Sequence, residues 1–260
     1  MIRLGMYFDI EPKRIARIMS KKLIQPLLLA GLVFLLITSC NTSPSTENSQ
    51  KEDSTTNRID SNNTAINDST EVSSALTDTS FVFLQDFGNN FVFEMKYATK
   101  DNFLKQAVYA CPKCIIRKEV AEALVLANRE FNDLGYRIKF FDCYRPLDVQ
   151  KKMWDIYPNA SYVANPYSKM GSMHNRGGAV DITLVNSTGE QLDMGTSFDH
   201  FGPEAHYEYR AASDKVKFNR QLLRNVMEAH GFNPIRTEWW HFSFKNSSRY
   251  PVSNNTMKCK

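Results

Sequence analysis

Apolar residues recur every three or four positions from Lys118 to Leu134, at Val120, Ala123, Leu124, Ala127, Phe131 and Leu134, and predict an amphipathic helix that Gly135 stops. A second helical pattern runs from Asn219 to His230 through Leu222, Leu223, Val226 and Met227, ending at Gly231. A third, through Val149, Met153 and Ile156, follows Pro146, which suits a first helical turn. Strand-like stretches are short: Phe81–Leu84, Phe91–Met95, Arg137–Phe141, Gly178–Leu184 and Thr237–Phe244. In the fourth of these, Val180, Ile182 and Leu184 share one face, and Ala179, Asp181 and Thr183 share the other. Residues 157–173, rich in Pro, Asn, Ser and Tyr, read as a loop. Helices and strands do not alternate regularly enough for a doubly wound sheet. The fold class expected is α+β, with helices packed on a small, mainly antiparallel sheet.

The first 80 residues follow neither pattern. Lys21-Lys22, an apolar run from Leu27 to Ile37 and then Thr38-Ser39-Cys40 have the layout of an export signal, and the run is short for a membrane span. Leu36-Ile-Thr-Ser-Cys40 resembles a loose bacterial lipobox, which makes Cys40 the candidate lipidation site and first mature residue; Met19 is an alternative start. Residues 41–80, mostly Ser, Thr, Asn and acids, cannot bury enough apolar surface to offset their ordering entropy. The expected organisation is a signal segment (1–40), a disordered tether (41–80) and a folded domain (81–260), exported to the cell envelope or periplasm and lipid-anchored to a membrane.

Charge sharpens this division. Residues 1–40 carry six Lys/Arg and two acids, and residues 41–80 carry two Lys/Arg and seven acids. The net charge of +4, with no basic run in the folded region, excludes nucleic acid as the expected partner. Export implies an oxidising compartment, so Cys111 and Cys114 are expected to form a disulfide; free thiols, or a metal or redox role for Cys111-Pro-Lys-Cys114, are the alternatives.

Three segments carry candidate chemistry. In Ser172-Met-His174-Asn-Arg-Gly-Gly-Ala-Val-Asp181, a bend at Gly177-Gly178 would bring an imidazole and a carboxylate together, both suitable ligands for zinc. Glu238-Trp-Trp-His241 offers a third ligand, His241, and a spare carboxylate, Glu238, to act as general base on a metal-bound water. Strict strand alternation would put Glu238 and His241 on opposite faces, so Glu238 must sit in the turn entering the strand. Arg145, in Asp142-Cys-Tyr-Arg-Pro146, could hold a carboxylate or an oxyanion. Each segment alone also fits a plainer reading: a solvent-facing Asp181, an aromatic core strand with a polar edge, and a surface Arg at a helix start.

Taken together and in this order, the three motifs resemble the VanX-type D-alanyl-D-alanine dipeptidases among the zinc D,D-peptidases. So do Lys96-Tyr-Ala-Thr99 with Asp101-Asn-Phe103, Arg117–Leu124 and Met194-Gly-Thr-Ser-Phe-Asp199. The resemblance implies one Zn2+ held by His174, Asp181 and His241, with Glu238 as base and Arg145 steadying the tetrahedral intermediate. It further implies Ser172 and Asp199 in the pocket of a small D,D-dipeptide, with Asp199 near the free ammonium group. The nearest alternatives are a D,D-carboxypeptidase acting on peptidoglycan stem peptides and a non-catalytic cell-wall-binding lipoprotein.

Overall fold

The computed structural model describes residues 80–256. The expectations for the signal segment, for Cys40 and for nearly all of the tether therefore fall outside the described residues. No helix among the described residues is long and apolar enough to cross a membrane.

Ten elements follow in chain order: β1 (Phe81–Phe83), β2 (Val92–Phe93), β3 (Ile115–Arg117), α1 (Lys118–Asp133), β4 (Tyr136–Asp142), α2 (Leu147–Ile156), β5 (Ala179–Asn186), α3 (Asp214–Ala229), β6 (Phe232–Pro234) and β7 (His241–Phe244). Five strands form the main sheet in the order β2-β4-β5-β7-β6, and β1 pairs separately with β3. Only β2–β4 is parallel; the other pairs of the main sheet are antiparallel. This is the expected α+β class. Helix α1 packs on β4, α3 on β6, and the two helices on each other.

Strand β5 is buried on both faces along nearly its whole length, which is why Ala-Val-Asp-Ile-Thr-Leu-Val is almost continuously apolar. Helix α1 buries Val120, Ala121, Leu124, Ala127 and Phe131, one stripe of a 3.6-residue period. Helix α3 starts five residues before the apolar pattern begins. Its cap is Ser213, whose side chain accepts from the Val216 amide, and Val216 is the one apolar residue of the opening turn. Strands β3 and β6 are only three residues each, too short to show a period.

The cysteine expectation is corrected. Cys114 pairs with Cys143, with Cα atoms 5.4 Å apart, and not with Cys111; Cys111 is disulfide-bonded too, but elsewhere. The reason is the path of the chain. Cys114 precedes β3, and the Tyr144 amide donates to the carbonyl of Ile115 at 2.9 Å, so the segment leaving β4 runs alongside β3. That brings Cys143 against Cys114 from 29 residues away, a contact no local spacing displays.

The bend before β5 depends on glycine. Gly177 adopts φ +68°, and a Cβ on Gly178 would lie 2.3 Å from Cβ of Ser247. Gly178→Ala should therefore overpack this contact and cost about 1–3 kcal/mol in denaturant unfolding; an unchanged midpoint would show that the bend has slack.

Candidate metal centre

Sheet register builds the centre. Asp181 on β5 lies directly opposite His241 on β7, so their side chains leave the same face. On the other side, β4 carries a bulge between Phe140 and Asp142 that sets Asp142 opposite Asp181. Without the extra residue Phe141 would stand there, and the row Asp142, Asp181, His241 would be broken. His174 comes from the short 3-10 turn His174–Arg176 just before the glycine bend. The Arg145 amide donates to the His174 carbonyl (3.1 Å), and Asn175 Nδ2 donates to the Arg145 carbonyl (2.8 Å), locking this turn to the chain leaving β4.

Three atoms converge: His174 Nε2 is 3.1 Å from His241 Nδ1 and 3.3 Å from Asp181 Oδ1, and His241 Nδ1 is 3.1 Å from the same oxygen. Zinc with ligands at 2.0–2.1 Å has tetrahedral edges of roughly 3.3 Å, so the triangle is close to one face of such a tetrahedron. The partners of the far ring nitrogens agree with it. His174 Nδ1 donates to the Cys143 carbonyl at 2.6 Å, and His241 Nε2 pairs at 2.9 Å with Ser243 Oγ, a hydroxyl able to accept its proton. His174 therefore turns a lone pair, not a proton, toward the common point, and His241 can do the same. The donor set, two imidazoles and a carboxylate with a fourth position open, fits a catalytic zinc ion.

Glu238 lies outside β7, in the turn that enters it, as the alternation argument requires. The turn is fixed by the Trp239 amide donating to the Ala205 carbonyl (3.1 Å) and by Trp239 Nε1 donating to Thr196 Oγ1 (2.8 Å). Both partners belong to the loop that carries Asp199. Buried Arg220 on α3 ties that loop further by donating to the carbonyls of Met194, Glu204 and His206. Asp199 itself has φ +60°, a left-handed conformation that Asp tolerates better than most residues, and it accepts from Tyr97 OH at 3.1 Å. Ser172 Oγ caps the His174 turn by accepting the His174 amide at 3.2 Å. Arg145 donates Nε and Nη2 to Asp142 and Nη1 to Gln150, leaving two of its five N–H groups.

Arg145, Ser172, His174, Asp181, Asp199, Glu238 and His241 all line one cavity of about 240 Å³. That is small beside the roughly 300–1,000 Å³ usual for drug-sized ligands. Every site residue expected from the sequence within the folded region, apart from the Cys111–Cys114 pair, therefore meets at one place. The residues that support them were not assigned roles by the sequence reading. Tyr97 and Asp142 lie inside quoted motifs, where their position was a signal; Ser243, Gln150 and Arg220 gave none.

The electrostatics ask for cations. Asp142, Asp181, Asp199 and Glu238 surround a single guanidinium, that of Arg145. Burial pushes Asp199 up to about 8, reinforced by the Asp181 carboxylate. Burial, then Asp181 and Asp199, also raises Glu238 well above the ordinary range. Asp181 is the exception: burial opposes its charge, but the two imidazoles outweigh burial and hold it far below the usual value. Burial likewise works against a charged His174, yet Asp181 outweighs it and raises that ring, while burial lowers His241.

Comparison with known proteins settles which family this arrangement represents. Residues 77–258 match the family model described as D-ala-D-ala dipeptidase. The chain belongs to the D-Ala-D-Ala dipeptidase family. It is 33% identical over 166 residues to a D-alanyl-D-alanine dipeptidase of Escherichia coli (strain K12), covering 64% of this chain and 85% of that protein. It is 33% identical over 183 residues to that of Enterococcus faecalis (strain ATCC 700802 / V583), covering 62% and 90% respectively. Among solved structures, the D,D-dipeptidase VanXYg in complex with a D-Ala-D-Ala phosphinate analog is similar over 64% of this chain and 66% of that one. Its identity is 18% and its TM-score 0.35, too slight a likeness to argue from.

Asp199 gives this dipeptidase fold a pH signature. A carboxyl whose folded value lies above its unfolded one favours folding fully below the unfolded value, near 3.8, and loses that contribution as pH rises through about 8. In metal-free protein, Asp199→Asn should therefore raise the melting temperature at pH 8.5 more than at pH 5. An equal effect at both would show that Asp199 is not the strained group.

Proposed function

We propose that this chain hydrolyses D-alanyl-D-alanine to free D-alanine with one zinc ion. The observation that carries the reading is the meeting, in one small cavity, of a three-atom metal cradle with two further carboxylates, Glu238 and Asp199. Family membership supports the substrate, and the donor set supports the metal.

Zinc in the cradle would supply a bound water acidified to a pKa of about 7 and a Lewis acid for the peptide carbonyl. The remaining work falls to the chain. Glu238, beside the cradle in the same cavity, takes the water's proton and later gives it to the leaving amine. Arg145, anchored by Asp142 and Gln150, turns its two remaining N–H groups to the carbonyl oxygen as negative charge develops there. Asp199, steadied by Tyr97, receives the substrate's ammonium group, so an unblocked N-terminus is rewarded and a longer chain is not. Ser172 lines the cavity beside the cradle and keeps the His174 turn in shape.

Export and a lipid tether at Cys40 belong to the same proposal, with a folded domain beginning near residue 81. The Lys21-Lys22, apolar run and Cys40 layout supports it, and so does the Cys114–Cys143 disulfide, since disulfides persist in oxidising compartments. The mature protein isolated from cells should begin at an acylated Cys40 by intact mass; an unmodified chain retaining Met1 or Met19 would reject the tether.

The catalytic reading is tested with free D-Ala-D-Ala, its N-acetyl derivative and an L,L-dipeptide, with and without chelator. Only the free D,D-dipeptide should be cleaved, and chelation should abolish turnover. Glu238→Gln should keep zinc and lose about 10²–10⁴-fold in kcat, while His174→Ala should lose zinc. Cleavage of the N-acetylated substrate alone would instead indicate a carboxypeptidase, and undiminished turnover by Glu238→Gln would remove the base assignment.

A further inference from the structure

Cys143 is the residue through which the disulfide reaches the metal centre. Its carbonyl takes the Nδ1 proton of His174 at 2.6 Å. Its amide donates to Asp142 Oδ1 at 2.8 Å, the carboxylate from which Arg145 hangs. Its sulfur is bonded to Cys114, and both cysteines are fully buried. Cys143 lies one residue beyond the end of β4 and just past the bulge, so the main sheet does not fix its peptide groups. What holds them is on the other side. Cys114 is held by the Leu84 amide donating to its carbonyl at 2.8 Å, and the Cys143–Tyr144 peptide is tied to the same segment by the Tyr144 amide donating to the Ile115 carbonyl at 2.9 Å.

From this geometry we propose that the Cys114–Cys143 disulfide is a positioning element of the metal centre. Together with the Tyr144–Ile115 hydrogen bond beside it, the disulfide holds the direction of the Cys143 carbonyl, and so the tautomer and tilt of His174, and it holds the peptide on which the Asp142–Arg145 pair rests. The small β1–β3 sheet is thereby a support for the zinc site, reached through one covalent bond. Outer partners of metal-bound histidines of this kind commonly change metal affinity about 10–100-fold when lost. The inference rests on His174 being a zinc ligand, which the His174→Ala measurement decides separately.

The test compares wild type with C114A/C143A at 25 °C, under conditions where near-ultraviolet circular dichroism shows both folded. Zinc affinity is measured by competition with a chromophoric chelator, and the visible spectrum of the cobalt-substituted protein reports ligand geometry. Positioning predicts zinc binding weakened about 10–100-fold and an altered cobalt spectrum. A variant with a lowered melting temperature but zinc affinity within twofold of wild type and the same cobalt spectrum would overturn the proposal, leaving the bond a stability staple. If the double variant does not fold, the C111A protein, compared oxidised and after mild reduction with a phosphine, its thiols counted by a reactive dye and its fold checked the same way, gives the same two outcomes.

Discussion

Gathering Asp142, Asp181, Asp199 and Glu238 about the single guanidinium of Arg145 is unfavourable unless each carboxylate meets a cation or a donor. Much of the architecture can be understood as an answer to that problem. Asp142 is the most completely satisfied: Arg145, Tyr109 and the Cys143 amide all donate to it. Asp181 is held between two imidazoles. Asp199 and Glu238 are left with raised pKa values, which is the state of groups awaiting a positive partner or a proton to carry. A divalent cation in the cradle and a cationic group beside Asp199 would supply the charge that the protein withholds.

Rigidity follows from the same arrangement. The three proposed ligands come from a turn and two neighbouring strands, so a one-residue slip of register would break the ligand triangle. The β4 bulge, the glycine bend and the direct Asp181–His241 pairing make that slip difficult. The more mobile class of structure, loop and turn, carries Asp199 and Glu238, but these segments are bound to each other through Trp239 and to α3 through Arg220. Asp199 and Glu238 therefore sit on one connected unit, opposite the segment after β4 that carries Arg145 and contacts the His174 turn.

Several of these features could be read from the chain. The apolar periods of Lys118–Leu134 and Gly178–Leu184 locate α1 and β5, because burial on one helical stripe or one strand face imposes a local period. Glu238 stands before β7, as strand alternation demands, because that geometry is settled within four residues. Where the signal is not periodic the reading fails or falls short. The start of α3 carries a single apolar residue, Val216, too little to show a period, and β3 and β6 have too few residues to show alternation.

The sequence by itself determined the fold class, the residues able to hold a metal and the order of motifs that marks the family, because residue type and near-neighbour spacing are written in the chain. Only the tertiary structure decided how those residues are supported. The pairing of Cys114 with Cys143, the bulge that aligns Asp142 with Asp181, the acceptors that orient both imidazoles and the Arg220 clamp all join segments distant in sequence. Such contacts arise from register and chain path, which short-range patterns do not encode.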